Sequence, residues 1–194
     1  MERSLTHIAL FAALIAVLGL VPPFMLATGV PISAQSMGVM LCGTVLGAKR
    51  GGLAALLFVA LVLAGLPLLS GGVGGLGMLA GPRGGFILGF PVAAFVTGYL
   101  MEKLPLGVGP AAVIASILGG ILVLYAIGVP VMAARLSEES VSKIFADIAV
   151  YRSLPLPVAL ASLYIPGDLI KAVLAGLITR GLAQMRPGSV LSRA

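Results

Sequence analysis

The chain has 194 residues, of which 60% are hydrophobic and 9% charged, and its formal net charge is +6. A soluble domain carries roughly a quarter charged residues and has no use for so much apolar surface, so a water-soluble globule is excluded. The basic excess does not mark a nucleic-acid binder either, because the cations are scattered and stacking aromatics are few, with no Trp.

Charge-free runs extend from Ile8 to Ala48, Gly51 to Pro82, Gly84 to Met101 and Leu104 to Ala134. One helical pass of a bilayer needs about 20 mostly apolar residues, so these runs hold several passes. They are continuously apolar rather than alternating, which favours helices over a barrel. The expected fold class is an all-α integral membrane protein: one domain over 1–194 with six transmembrane helices in a compact bundle.

The first predicted span runs from Leu5 to Val21. It has no clear small-residue cleavage site, so it reads as a retained span rather than a signal peptide. Val-Pro-Pro-Phe at 21–24 breaks the chain before a second span, Ser33 to Ala48, whose solitary Cys42 reads as a small packing residue. Lys49-Arg50-Gly51-Gly52 reads as a loop before a third span, Leu53 to Leu66. Spans two and three are short, which implies little tilt or loops that dip inward. A Gly-rich stretch, 71–85, leads to the fourth span, Phe86 to Met101. Glu102-Lys103-Leu104-Pro105 separates it from the fifth, Ala111 to Val129. In the polar segment from Arg135 to Arg152, Ser137-Glu138-Glu139 suits a helix N-terminus. Val141, Ile144, Phe145 and Ile148 follow on one face, the pattern of a helix lying on the membrane or lidding a cavity. The sixth span runs from Pro155 to Ala183.

Six spans place both termini on one side. Arg3, Lys49, Arg50, Lys103, Arg180, Arg186 and Arg193 on that side outnumber Arg83, Arg135, Lys143 and Arg152 opposite, so the termini are expected in the cytoplasm. Small residues recur four apart at Ala9 and Ala13, Ala12 and Ala16, Gly43 and Gly47, and Gly85 and Gly89. Such faces let helices approach closely in lipid. Most suit packing within the bundle, and the Ala9, Ala13 stripe on the peripheral first span is the best placed to meet a partner subunit.

Chemistry is sparse. Gly72-Val73-Gly74-Gly75-Leu76-Gly77 matches a dinucleotide fingerprint in letters but lacks the βαβ context that makes one, and there is no Walker motif. His7 and Cys42 are the only residues of their kinds, so no metal cluster forms and no cofactor is expected. No nucleophile, base and orienter share one depth, so the chain is not expected to be an enzyme.

The informative charges are Asp168 and Lys171 in Ile165-Pro-Gly-Asp-Leu-Ile-Lys-Ala. Each costs about 2.5 to 3.5 kcal/mol at mid-membrane, and a spacing of three puts both on one helix face. Two readings stay open: a ligand-contacting pair, or Asp168 capping the last helix after Pro-Gly with Lys171 neutralising it. In Gly81-Pro-Arg-Gly-Gly, Arg83 stands among residues of little bulk, where its fork can meet a carboxylate or sit at headgroup level, and Gly85 is counted with it. Gln35 and Ser33, at the mouth of span two, add neutral hydrogen-bonding groups. A stand-alone carrier for another small carboxylate solute, or an intramembrane enzyme, are the competing classes.

Several linked motifs narrow the choice. Gly29-Val-Pro-Ile-Ser-Ala-Gln-Ser, Gly47-Ala-Lys-Arg-Gly-Gly, Gly71-Gly-Val-Gly-Gly-Leu-Gly, Gly81-Pro-Arg-Gly-Gly-Phe-Ile-Leu-Gly-Phe-Pro and Pro166-Gly-Asp-Leu-Ile-Lys-Ala occur in the order of the BioY family, which the chain resembles from about Gly29 to about Leu177. That family comprises the biotin-specific S components of energy-coupling-factor transporters. The resemblance implies a six-helix bundle in a prokaryotic inner membrane that binds biotin in an outer-face binding cavity, which the resemblance alone adds, and contacts membrane lipids. It implies partnership with a transmembrane T component and separate ATPase subunits, and a homo-oligomer stays open. Asp168 and Lys171 match the family's acidic and basic pair, and the Ala9, Ala13 stripe resembles the surface that meets the coupling subunit. Two departures stand out: Arg83, where many relatives carry Thr or Ser, and the longer, more charged segment 137–152.

Overall fold

The computed structural model describes residues 2–22, 24–25, 31–136 and 155–193. The lid helix expected around 137–152 lies outside them. The helices are α1 Glu2–Leu20, α2 Gln35–Leu46, α3 Ala48–Leu63, α4 Gly84–Lys103, α5 Val108–Arg135 and α6 Leu156–Met185. Of these, α4, α5 and α6 are long and apolar enough to cross a membrane by length and composition. Phe24–Met25 (β1) and Pro31–Ile32 (β2) form a short antiparallel ribbon between α1 and α2, with Phe24 opposite Ile32 and Met25 opposite Pro31. The sequence pattern gave no sign of it.

The expected loop at Lys49-Arg50-Gly51-Gly52 is instead the first turn of α3. Cations are unfavourable at a helix N-terminus, which is why the sequence reads as a break there. Two features override that. Gly47, at φ 83°, turns the chain in a single residue between α2 and α3, a conformation open to glycine. Glu102 Oε1 then accepts from the Ala48 N–H at 2.8 Å, capping α3 from the end of α4.

α5 is longer than its predicted span and widens to a π-helix over Ser116–Val123. α6 is continuous from Leu156 through Pro166 to Met185, with Pro155 at its N-cap. Asp168 therefore stands well inside a helix, and the capping reading is overturned. Pro-Gly suggested a start, but a proline inside a membrane helix is tolerated where neighbouring groups satisfy the backbone.

Most of the small-residue faces pack inside the bundle. A Cβ on Gly43 would lie 2.6 Å from the Ala94 carbonyl and 2.7 Å from Thr97 Cβ, and one on Gly98 would strike the Gly47 and Ala48 backbone. Gly85 and Gly89 meet α5 at Ile127 and Val131, and at Leu124, respectively. Ala9 and Ala13 differ: both are exposed, on the face of α1 that also leaves Leu10 and Val17 uncovered, while Ala12 is buried.

Gly98→Ala should lower thermal stability in detergent by about 1–3 kcal/mol, because the added methyl meets backbone that cannot yield. Gly181→Ala, with open space around it, should be neutral or slightly stabilising through helix propensity. Equal effects in the two variants would contradict the close α2–α4 crossing.

Candidate functional site

A cavity of about 310 Å³ opens at one end of the bundle, among the starts of α2 and α4, the second half of α5 and the first half of α6. Phe86, Ile87, Phe90, Leu124 and Met132 give it apolar walls. Polar groups collect on one side. Lys171 Nζ lies 2.6 Å from Asp168 Oδ1, one helical turn away on α6. Ser36 Oγ, on the first turn of α2, donates to Asp168 Oδ1 at 3.2 Å and accepts from Lys171 Nζ at 3.0 Å. Tyr125 of α5 donates its hydroxyl to Asp168 Oδ2 at 2.5 Å.

Three helices thus meet on one carboxylate. Asp168 is 6% exposed, and a charge so placed persists only when paired and hydrogen-bonded. Tyr125 is held for its task by Phe86, whose ring meets it edge-on at 6.1 Å. Phe86 in turn fits only because Gly128 has no side chain in its path.

The sequence-predicted residues separate into groups. Asp168 and Lys171 form the centre of the polar cluster, and Ser33 lines the cavity. Arg83 lines it from an exposed position, with Nη1 donating to the Ser70 carbonyl at 3.3 Å. Gln35 also lines it, but its amide is committed to backbone: Oε1 accepts from Ser70 N–H at 3.0 Å and Nε2 donates to the Leu68 carbonyl at 2.9 Å. Gly85 is not part of the wall; it is buried in the α4–α5 crossing, where a side chain would strike Val131. Among the described residues no group of His, Cys, Asp and Glu is arranged to hold a metal ion.

Sequence reasoning missed Ser36, Tyr125 and Tyr164. Ser36 stood beside Gln35 in the quoted motif, and a tyrosine in the otherwise apolar run of α5 was a visible signal, since a buried phenol needs a partner. Nothing in the sequence marked Tyr164, which lines the cavity one turn before Asp168. Arg135 was placed only as a topological charge. It donates to the carbonyls of Leu79 and Gly81 and so ties the end of α5 to the loop preceding α4.

Comparison with known proteins gives a consistent picture. The BioY family model matches residues 2–188. The biotin transporter BioY of Rhodobacter capsulatus is 48% identical, with 100% of both chains covered. The biotin transporter BioY of Rhizobium etli is 44% identical over 93% of this chain and 92% of its own. A crystal structure of the S-component for biotin from an ECF-type ABC transporter superimposes with a TM-score of 0.76 at 32% identity, covering 94% of this chain and 92% of that one.

The buried pair makes a stability prediction that needs no ligand. Lys171→Met, which strands the buried Asp168, should destabilise the protein by about 3–5 kcal/mol, and Asp168→Leu, which strands the partly buried Lys171, by less. The double variant should recover much of the loss, as replacing both partners with apolar groups removes the stranded charge. Thermal unfolding in detergent measures this, and additive losses would show that the two charges are not paired.

Proposed function

Because the chain belongs to the BioY family, we propose that it is the biotin-binding membrane subunit of an ECF-type vitamin transporter and not an enzyme. The observation that carries this reading is the Asp168–Lys171 pair with Ser36 and Tyr125, set in the wall of a cavity that Phe86, Ile87, Phe90, Leu124 and Met132 make largely apolar. Biotin presents a cyclic urea, an apolar bicycle and a carboxylate. An apolar pocket with a few placed polar groups is the kind of site that holds such a molecule.

Charge argues for one orientation. A carboxylate placed against Asp168 would face a like charge in a medium of low dielectric. The neutral urea avoids that: its carbonyl can accept from Lys171 and its N–H groups can donate to Asp168. The bicycle then lies against Phe86, Phe90 and Leu124, and the carboxylate reaches Arg83 at the exposed side. Ser33 belongs to this mouth. Gln35 contributes through the wall it holds.

In this reading all six helices cross the membrane, α2 and α3 being short because the ribbon and the Gly-rich loop fill the outer end. The cavity faces outward. The end opposite it carries the basic cluster, where Arg50 Nε donates to Ser4 Oγ and Arg193 Nη2 to the Leu104 carbonyl, as expected of a cytoplasmic side. Energy comes from separate ATPase subunits through a transmembrane T component. The exposed Ala9, Ala13 stripe on α1 offers close approach to such a partner. The chain works in a prokaryotic inner membrane in contact with its lipids.

Purified protein in detergent should bind biotin saturably without ATP; absence of saturable binding by folded protein would end this reading. Arg83→Ala should weaken biotin binding by up to about fivefold, an exposed charged contact being worth at most about 1 kcal/mol. It should change the affinity for a neutral biotin amide by less than about twofold. Equal losses for both ligands would place the carboxylate elsewhere. Ala9→Leu with Ala13→Leu should leave biotin affinity intact and reduce co-purification with a T component, whereas lost binding with assembly intact would place the stripe inside the bundle.

A further inference from the structure

Resting on the biotin-site reading above, we propose that Gly19 and Gln35 form a positioning knot that fixes the cavity wall at residues 68–70. Gly19, which does not line the cavity, thereby determines how long the ligand is retained.

Three observations meet here. First, Gln35 is 3% exposed and binds only backbone: it grips Ser70 N–H and the Leu68 carbonyl, and its Nε2 also reaches the Ile15 carbonyl at 3.4 Å. The next residue, Ser36, holds the Asp168–Lys171 pair. The start of α2 thus sets the wall with one side chain and the polar cluster with its neighbour.

Second, apart from Leu68 and Leu69, which pack on the core, the stretch around the wall is rich in glycine. Gly65, Gly71, Gly72 and Gly75 all have positive φ, and a Cβ at any of them would meet nothing within 4 Å. Such a stretch loses much conformational freedom on ordering and packs few side chains in return. Besides the loop's own bonds, among them Leu69 N–H to the Val73 carbonyl at 3.1 Å, it is tied by Gln35 on one side and Arg83 on the other.

Third, Gly19 is buried in the last turn of α1, where a Cβ would lie 2.5 Å from Gln35 Nε2 and 2.6 Å from the Leu68 carbonyl. Alanine is the better helix former by about 0.8–1 kcal/mol. An alanine there must nevertheless displace the Gln35 amide, the Leu68 carbonyl or both, and either shift breaks the bond between them. The local propensity effect and the effect on the site therefore have opposite signs.

The test is biotin exchange kinetics with Gly19→Ala, Gln35→Met, the double variant and Gly181→Ala as a control with open space around it. Gly19→Ala should raise the dissociation rate at least about fivefold, the scale of one or two lost hydrogen bonds, with the association rate nearly unchanged. The double variant should dissociate no faster than Gln35→Met alone, because both changes act through one amide. A merely structural role would instead lower the fraction of folded sites and leave their rate constants alone. A ligand-free readout uses Leu69→Cys in a Cys42→Ala background, Cys42 being the chain's single cysteine. Leu69 is 6% exposed, so maleimide should label Cys at that position slowly, and faster once Gly19→Ala is added. Dissociation within twofold of the unaltered protein, additive effects in the double variant, or labelling indifferent to Gly19→Ala would each overturn the knot. Should the unaltered protein bind no biotin, the functional reading falls, and labelling alone decides the knot.

Discussion

A carboxylate and an ammonium inside an apolar bundle constrain everything around them. Separately, each costs about 2.5 to 3.5 kcal/mol in hydrocarbon. Together, at i and i+3 on α6, they neutralise one another, but an ion pair satisfies only part of the hydrogen-bonding capacity of either group. Ser36 and Tyr125 supply much of the remainder. Those two hydroxyls stand on different helices, so the pair dictates that α2, α5 and α6 meet at one depth and in one register. The cavity lies beside that meeting.

Bringing helices together in lipid requires backbone proximity, because no hydrophobic force separates helix from tail. Gly43 against Thr97, Gly98 against Gly47, and Gly176 against Val113 supply it. The α2–α6 contact is pinned by polar groups at both ends. At the cavity end stands Ser36 with the ion pair; at the other, the buried hydroxyls of Thr44 and Thr179 lie 2.9 Å apart. Ser192 Oγ then donates to the Thr44 carbonyl at 2.5 Å, a group near the end of α2. With Ala48 N–H turned to Glu102, that carbonyl lacks its usual i+4 donor. Apolar side chains fill the space between these clasps, so the position of α2 against α6 is set by hydrogen bonds and not by packing alone.

What the sequence discloses follows from this. Apolar runs of spanning length, the helical class, and the spacing of Asp168 and Lys171 are one-dimensional signals, and each is legible. The start of α3 was not legible, because its stability comes from Glu102, some fifty positions away, and from one glycine φ. The role of Asp168 was left divided because Pro166-Gly167 has the grammar of a helix start. Only the neighbours of α6 reveal that the helix runs through it. Gly85 was grouped with the site through its proximity to Arg83 in sequence, yet one step along α4 turns a residue through about 100°, and Gly85 faces α5 instead. Gln35 was found at the cavity, but its bonds to the backbone of Leu68 and Ser70 were not legible, since a polar residue at a span's mouth looks the same whether it faces a ligand or a loop.

The hydrogen-bond inventory around the pair limits what can enter. An ammonium has three N–H groups, and Lys171 uses two of them, on Asp168 and Ser36. A carboxylate has about four acceptor positions, and Asp168 receives Ser36 and Lys171 on Oδ1 and Tyr125 on Oδ2. One donor remains on Lys171 and one acceptor on Asp168 Oδ2. A neutral group that pairs a carbonyl with an adjacent N–H can use both without breaking an existing bond. An anion could use only the donor and would crowd the carboxylate; a cation could use only the acceptor and would crowd the ammonium. Phe86, Ile87, Phe90, Leu124 and Met132 supply the apolar part of the wall, and Tyr164 and Ser33 are the other side-chain hydroxyls in it besides Ser36, Ser70 and Tyr125. The bonds that hold three helices together are thus the same ones that set the polar capacity left unused at the cavity wall.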